Sequence, residues 1–591
     1  MASMLTRTGS PNEPLTPAVS AAPVQWDQAW WYGLLRYRTL AALLAVGTVL
    51  VLAQAFVPFE RFIQRGDDAY YYFAVAANFP RLGYWSFDGL NSTNGVQPLW
   101  AIALSTTAQA LDWLGLQDRG TLARIFVAMA AAAHAGSCVL LALLLARFVS
   151  VGTAIIAAGA FLLPLGIVWQ RVWGLENGLY ALLLLATIGH YHVVHLARPA
   201  MRTALVLGAL LGLTTLARLN AGLLIPCLLA HLLLAAPAGT LAERFRQVLA
   251  AGTVASLIVG AYLGYNLLTT GHPLPVSGAV KQIATEEYLA ARGLDTRFSL
   301  AFLKALYWGF HEQVFWFLTS RGLDGLWAVG GRVIFAGNSG TAIGTFAAIC
   351  GAIFFLPGLL GRPGNWAAFL LARLRRLAPF GYVLAFAAAN AILSVALYPT
   401  QLRYAMIRWW LAEGETVVVV LMATVLAAAL HHLGSRLLDS RRRAVLVPLV
   451  VAVLAAHGTL QHVRTFWLDG WRFHDWNASW NDASHLAAEW LRENAPHDAL
   501  VGSWNAGVLG YYASQRVVNL DGLINGFELL PYLRERRLGE YIRTRGIRYV
   551  SDMQSMFEHR RDVPDQLDLE LVYRRYNALM RQEYRIYRVR D

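Results

Sequence analysis

Charge is scarce in this chain. Charged residues make up 14% of its 591 residues, where a soluble protein of this length carries about a quarter. Hydrophobic residues reach 57% and the mean hydropathy is +0.44. Several apolar runs attain the roughly 20 residues needed to cross a bilayer. This composition excludes a soluble globular fold and specifies a polytopic α-helical membrane protein. Cysteine is also scarce. The three present, Cys138, Cys227 and Cys350, all fall inside apolar runs, which excludes a disulfide framework or a cysteine metal site. Residues 1–25 are polar and lack an apolar core, so no cleavable signal peptide is expected. No internal repeat is visible, and the glycine pattern is too loose for a dinucleotide fingerprint. The charge that is present is unbalanced, at +13. Positive-inside topology and anionic lipid account for it, rather than nucleic acid.

What is there centres on Gly66-Asp67-Asp68-Ala69-Tyr70-Tyr71-Tyr72, just after the first apolar run. Acidic groups at a membrane surface are costly and usually mark chemistry or ion handling. A short aromatic helix is expected from Tyr70 to Phe79, followed by Asn91-Ser-Thr-Asn-Gly-Val-Gln-Pro-Leu-Trp100. The run from Val96 to Leu114 is the decisive segment for topology. If it spans, the basic segments near 198–202, 244–246, 362–376 and 436–443 lie outside. If it is re-entrant, all four lie inside, as the positive-inside rule prefers.

On that register about eleven spans are expected, at 39–56, 122–146, 151–170, 178–197, 203–218, 221–236, 248–268, 338–360, 380–399, 414–433 and 444–460. Residues 1–38 form a cytoplasmic tail and interfacial helix, and 39–460 the transmembrane part, with its first outer loop at 59–121. Residues 461–591 form an extracytoplasmic α/β domain. That last expectation comes from alternating segments: a helix over 483–494, strands near 500, 517 and 549, and a helical stretch over 529–545. Asp67, Asp68, Glu176, Lys281 and Arg403 then share one face of the membrane. The 271–337 loop is long enough to be functional.

Transfer of a sugar to a hydroxyl needs a base and charge stabilisation for the departing phosphate. Asp67, Asp68 or both can supply the base, and the pair can also be neutralised by a divalent cation. Arg171, Arg218, Lys281 and Arg403 are suited to a phosphate. The alternatives are plain. Asp67 and Asp68 could simply cap the Tyr70 helix. Arg218 could cap a helix end, and Glu176 could stabilise the start of the next span. Arg408, beside Trp409 and Trp410, reads as an interfacial anchor. Asp521 either terminates a strand or contacts a sugar. His190, His192 and His195 read as interfacial residues rather than as a metal site.

These residues resemble the GT-C superfamily of integral membrane glycosyltransferases. That group includes the protein O-mannosyltransferases, the aminoarabinose transferases, the oligosaccharyltransferases and the mycobacterial arabinofuranosyltransferases. The likeness rests on Asp67-Asp68 in the first outer loop, the Gln97-Pro98-Leu99-Trp100 helix start and the lone Glu176 in the second outer loop. It covers about residues 30–460. It implies a polyprenyl-phosphate-sugar donor and a glycan, lipid or protein acceptor. It also implies an inverting single displacement at the outer face of a bacterial inner membrane. Asp67 or Asp68 would be the base, with Asp67 preferred, and Glu176 would support the pair. Lys281 and Arg403, with Arg171 and Arg218, would hold the phosphate. Asn94, Gln97 and Tyr70 would shape the loop around the acceptor, and the C-terminal domain would help bind it. A second-loop Asp-x-Asp is absent, which argues against a tightly bound metal. The rival classes are a lipid-linked sugar flippase, which would show repeats and polar mid-membrane helices, and an envelope assembly factor.

Overall fold

The computed structural model describes residues 51–63, 65–147, 172–236, 239–290, 378–397, 475–578 and 580–590, with isolated positions at 45, 48, 49, 154 and 158. Arg171, Arg403 and Arg408 lie outside the described residues, as do the expected spans at 338–360, 414–433 and 444–460 and nearly all of 151–170.

Helix α1 (Asp67–Leu82) begins with two carboxylates in its first turn and ends at Gly83, whose φ of 75° places it in the left-handed region. Both features follow general rules: anions favour the positive end of the helix dipole, and glycine closes a helix at little steric cost. Helix α2 (Pro98–Trp113) has proline at its start, where the missing N–H is harmless. Its 16 residues make roughly 24 Å of helix, short of the hydrocarbon core of about 30 Å.

Helix α3 (Arg119–Leu145) follows, capped by Asp118 accepting from Thr121 N at 2.7 Å. Next come α4 (Asn177–Gly189), continued by a π-helical turn over His190–His195, then α5 (Met201–Ala217) and α6 (Leu224–Ala235). Helix α7 (Leu241–Thr270) starts with a Thr240–Glu243 capping box and is followed by α8 (Val276–Ala290) and α9 (Gly381–Leu397). Three of the described helical segments, Arg119–Leu145, Asn177–His195 and Leu241–Thr270, are long and apolar enough to cross a membrane. Helices α5 and α7 approach closely because Gly208 and Gly212 present no side chain. A Cβ on Gly208 would collide with the Ala251 backbone, and one on Gly212 would meet Ile258 at 2.9 Å. Small residues four apart allow such packing where no hydrophobic drive exists between helices.

The C-terminal unit begins with α10 (Asp475–Asn494). It holds a five-stranded sheet of order β2-β1-β3-β5-β4, built from β1 (Leu500–Ser503), β2 (Arg516–Asn519), β3 (Ile547–Met553), β4 (Asp568–Asn577) and β5 (Gln582–Arg590). Strands β2, β1 and β3 are parallel, β5 pairs antiparallel with β3, and β4 pairs antiparallel with β5. Helix α11 (Gly507–Tyr512) connects β1 to β2. The helix expected over 529–545 is instead two short helices, Leu530–Arg534 and Leu538–Thr544. Arg536 breaks them with a φ of 54°.

One apolar core runs from the bundle into this unit. Phe73 packs against Phe126 of α3 at 5.4 Å and against Tyr511 of α11 at 5.9 Å between ring centroids. Tyr70 meets Tyr511 and Tyr512, both at 5.7 Å. Burying one large apolar side chain stabilises by about 1.5–3 kcal/mol, so this aromatic cluster seats α11 firmly on α1.

Candidate active site

Chain direction gathers the expected residues at one end of the bundle. Helices α3 and α4 start there, α5 and α7 end there, and α8 follows the end of α7. Asp67, Asp68, Glu176, Arg218 and Lys281 therefore converge from the starts of α1 and α4, the end of α5 and the body of α8.

The two aspartates do different things. Asp67 faces the C-terminal unit. Its Oδ2 accepts from Gly507 N at 3.0 Å and its Oδ1 from Val508 N at 2.7 Å. Tyr71, one turn along the same face, donates to Trp504 O and accepts from Ala506 N, both at 3.2 Å. Gly507 is required here because a Cβ would collide with the Asp67 backbone. Behind it Asp552, fully buried, accepts from Trp504 N at 3.0 Å and Asn505 N at 2.9 Å, fixing the turn that aims these donors at Asp67. Burial pushes the Asp67 carboxyl up to about 6, against the pull of its two backbone donors.

Asp68 lies about 100° further round the helix and faces the bundle. Burial, then the Asp67 charge, raise its carboxyl to about 6, while Lys281 opposes the rise and Glu176 adds to it. Lys281, one of two lysines in the sequence, is lowered to about 7 by burial, with Asp68 resisting the shift and Arg218 reinforcing it. Glu176 and Arg218 form a buried ion pair at 3.7 Å, and Arg218 Nη1 donates to Asn177 Oδ1 at 2.6 Å. Gln97 ties this pair to the loop: its Oε1 accepts from Leu219 N at 3.0 Å, and its own N–H donates to the Tyr72 hydroxyl at 2.9 Å. Tyr72 in turn hydrogen-bonds Glu176.

The remaining loop residues divide. Asn94 builds the scaffold. Its Nδ2 donates to Thr270 Oγ1 and Leu274 O, both at 3.3 Å, and its Oδ1 accepts Val276 N at 2.9 Å. It thus fixes the link from α7 to α8 and, with it, Lys281. Tyr70 is fully buried among aromatic rings, with its hydroxyl toward Phe62 O at 3.4 Å. The structure places it with the packing of α11 and not with the carboxylates. Glu176 is set by a tight turn: Gly174 has a φ of 105°, its carbonyl accepts Trp100 Nε1 at 2.8 Å, and a Cβ there would strike Phe73.

Three participants escape a reading of the sequence in isolation. Tyr72 joins Glu176 to Gln97. Arg65, 2% exposed, donates to Val172 O at 3.0 Å and Gln54 O at 2.5 Å and so braces the start of α1. The C-terminal backbone at Gly507 and Val508 captures Asp67. Helical spacing carries a signal for the first of these, since Asp68 and Tyr72 are four apart, as are Asp67 and Tyr71.

A divalent cation at the aspartate pair fits this arrangement poorly. Asp67 directs both oxygens to backbone donors, and Lys281 already supplies positive charge beside Asp68. Among the described residues no group of three or more His, Cys, Asp or Glu side chains is arranged to hold a metal. His190 and His195 bind Thr203 O and Thr203 Oγ1, each at 2.8 Å, and the His192 ring lies tilted against Phe380, 4.5 Å between centroids.

Comparison with known proteins bears on the fold. Residues 475–588 match a family described as a domain of unknown function, DUF8728. No curated protein matches the chain in sequence. The archaeal oligosaccharyltransferase AglB from Archaeoglobus fulgidus, solved with an inhibitory peptide and a dolichol-phosphate, aligns with a TM-score of 0.51 at 14% identity. The alignment covers 95% of this chain and 74% of AglB. The oligosaccharyltransferase of that organism solved with zinc and sulfate gives 0.49 at 15% identity, covering 87% and 68%. ArnT from Cupriavidus metallidurans bound to undecaprenyl phosphate gives 0.39 at 11%, covering 95% and 98%. The likeness to AglB is one of fold.

Proposed function

We propose that this chain is a membrane glycosyltransferase that moves a sugar from a polyprenyl-phosphate donor to an acceptor hydroxyl. The site would face the extracytoplasmic side of a bacterial inner membrane. The observation that carries the reading is the convergence of Asp68, Glu176, Lys281 and Arg218 at one bundle end. A base and two cationic side chains are thereby set side by side, in a fold aligned with a protein solved with dolichol-phosphate.

Asp68 is the base in this proposal, displacing the preference for Asp67, because both Asp67 oxygens are engaged by Gly507 and Val508. The acceptor oxygen bonds to the anomeric carbon as that carbon's bond to the phosphate oxygen breaks. The bonding pair leaves with the phosphate, the hydroxyl proton passes to Asp68, and configuration inverts. Lys281 meets the charge on the leaving phosphate. Arg218, fixed by Asn177 and Glu176, adds positive potential behind it. Arg171 and Arg403 are proposed as further phosphate contacts. No step runs through a metal.

The test is a transfer assay in lipid, with a panel of radiolabelled polyprenyl-phosphate sugars and crude envelope acceptor. Label should move to the acceptor with the native chain and stay on the lipid with a folded Asp68→Asn variant. Lipid crossing the bilayer without transfer from any donor would overturn the proposal in favour of a flippase.

A further inference from the structure

We propose that Asp521 of the C-terminal unit binds the acceptor alongside Asp68, and that this acceptor is a neutral saccharide. The inference rests on the transferase reading only in naming the bound molecule the acceptor.

The argument starts from position. Residues 521–525 follow β2 and are wedged between the first loop and α8. Thr93 Oγ1 donates to Asn525 O at 3.3 Å, and a Cβ on Gly95 would collide with Leu523 O. On the other side Gly522 has a φ of 85°, and a Cβ there would come within 2.9 Å of Val280, the neighbour of Lys281. Ile283, one turn further along α8, is buried in the apolar core of the C-terminal unit. The segment carrying Asp521 is thus seated against both the loop and the helix that form the site.

Asp521 is intermediate in exposure, and among the described residues its carboxylate is only partly engaged. Oδ1 accepts Leu523 N at 2.8 Å and the Asn519 side chain also holds the group. A carboxylate has about four acceptor positions, so capacity remains for hydroxyl donors. Asp552 of the same sheet is the useful contrast. It is fully buried, and the N–H groups of Trp504, Asn505 and Met553 all point at it. That is the environment of a structural carboxylate, and Asp521 does not share it. Burial pushes Asp521 up to about 7, with Asp68 and Asp67 among the contributing charges. Its field also reaches Lys281 and Tyr71. Holding a third carboxylate near that pair costs stability, and the turn at Leu523 could be capped equally well by asparagine.

The chemistry of the occupant follows. Among the described residues, Asp67, Asp68, Asp521 and Glu176 outnumber Lys281 and Arg218, which favours a neutral acceptor over a polyanionic one. Asp68 and Asp521 address two hydroxyls at once, one to be deprotonated and one held by a short charge-assisted hydrogen bond. Neighbouring ring hydroxyls of a sugar provide both, whereas a serine or threonine provides one.

The test uses the full chain in lipid nanodiscs without donor. Tryptophan fluorescence follows titration with neutral oligosaccharides of hexoses and of pentoses, and with a Ser/Thr-containing peptide. Saturable saccharide binding is expected, weakened at least about tenfold in Asp521→Ala and in Asp521→Asn. The asparagine keeps an oxygen for Leu523 N and so guards against a folding artefact. Unchanged binding in both variants, binding of the peptide alone, or no saccharide binding by the native chain would each overturn the inference. Asp521-dependent saccharide binding without transfer from any donor would sink the transferase reading and leave this inference standing.

Discussion

Replacing the two aspartates separately should produce opposite signatures. In Asp67→Asn the side chain keeps one oxygen and turns an NH2 toward a backbone donor that previously met a carboxylate. A hydrogen bond to a charged group contributes about 1.5–3 kcal/mol, and stranding its partner costs a further ~1–3 kcal/mol. Roughly 3–5 kcal/mol of docking between α1 and α11 is therefore at stake. The aromatic cluster of Tyr70, Phe73, Tyr511 and Tyr512 supplies ~1.5–3 kcal/mol per buried ring. Docking should loosen without being lost. Hydrogen exchange at Gly507 and Val508 reads that directly and should accelerate by 10²-fold or more. Asp68→Asn should leave those amides protected but remove the base, lowering transfer by about 10²–10⁴-fold, or ~3–5.5 kcal/mol in the barrier. The assignment is refuted if Asp67→Asn abolishes transfer with amide protection intact while Asp68→Asn keeps a tenth or more of native activity.

The remaining predictions concern charge and close approach. Transfer should rise with pH as Asp68 deprotonates near 6 and fall as Lys281 loses its proton near 7, giving a narrow bell in the pH dependence of kcat/KM. In Lys281→Arg, the alkaline limb should vanish because guanidinium does not titrate in this range; a limb left in place would assign it to another group. Arg218→Ala strands the buried Glu176 carboxylate and should destabilise the bundle by about 3–5 kcal/mol, measured as a fall in Tm. Gly507→Ala drives a methyl into the Asp67 backbone and should expose the junction of the bundle and C-terminal unit to protease while Tm of the bundle changes little.

Much of this was legible in the sequence, for identifiable reasons. The runs expected at 122–146, 178–197 and 248–268 correspond to the long apolar helical segments Arg119–Leu145, Asn177–His195 and Leu241–Thr270; caps such as Asp118 and Thr240 help to set where the first and last begin. The parallel strands at 500, 517 and 549 were marked by short β-branched runs between turns. The hairpin β4–β5 was not, since its exposed arginines and tyrosines dilute the alternation that identifies a strand. The helix expected over 529–545 broke at Arg536 because nothing in local composition signals a left-handed arginine.

The site was half legible for a more general reason. Asp67-Asp68 is recognisable as a pair, but adjacency in a helix does not mean a shared environment. Residues i and i+1 point about 100° apart, so the two carboxylates serve different neighbours. Asp67, with Tyr71, binds the backbone of a segment more than 400 residues away in sequence, and no local pattern announces that partner. Asp68, with Tyr72 one turn on, looks into the bundle toward Glu176 and Lys281. The pair thus joins two tasks in consecutive residues: one carboxylate fixes the C-terminal unit in place, and the other is the base of the proposed reaction. Swapping their roles would require turning α1 by more than a quarter of a turn, which the buried Phe73 and Tyr70 contacts forbid.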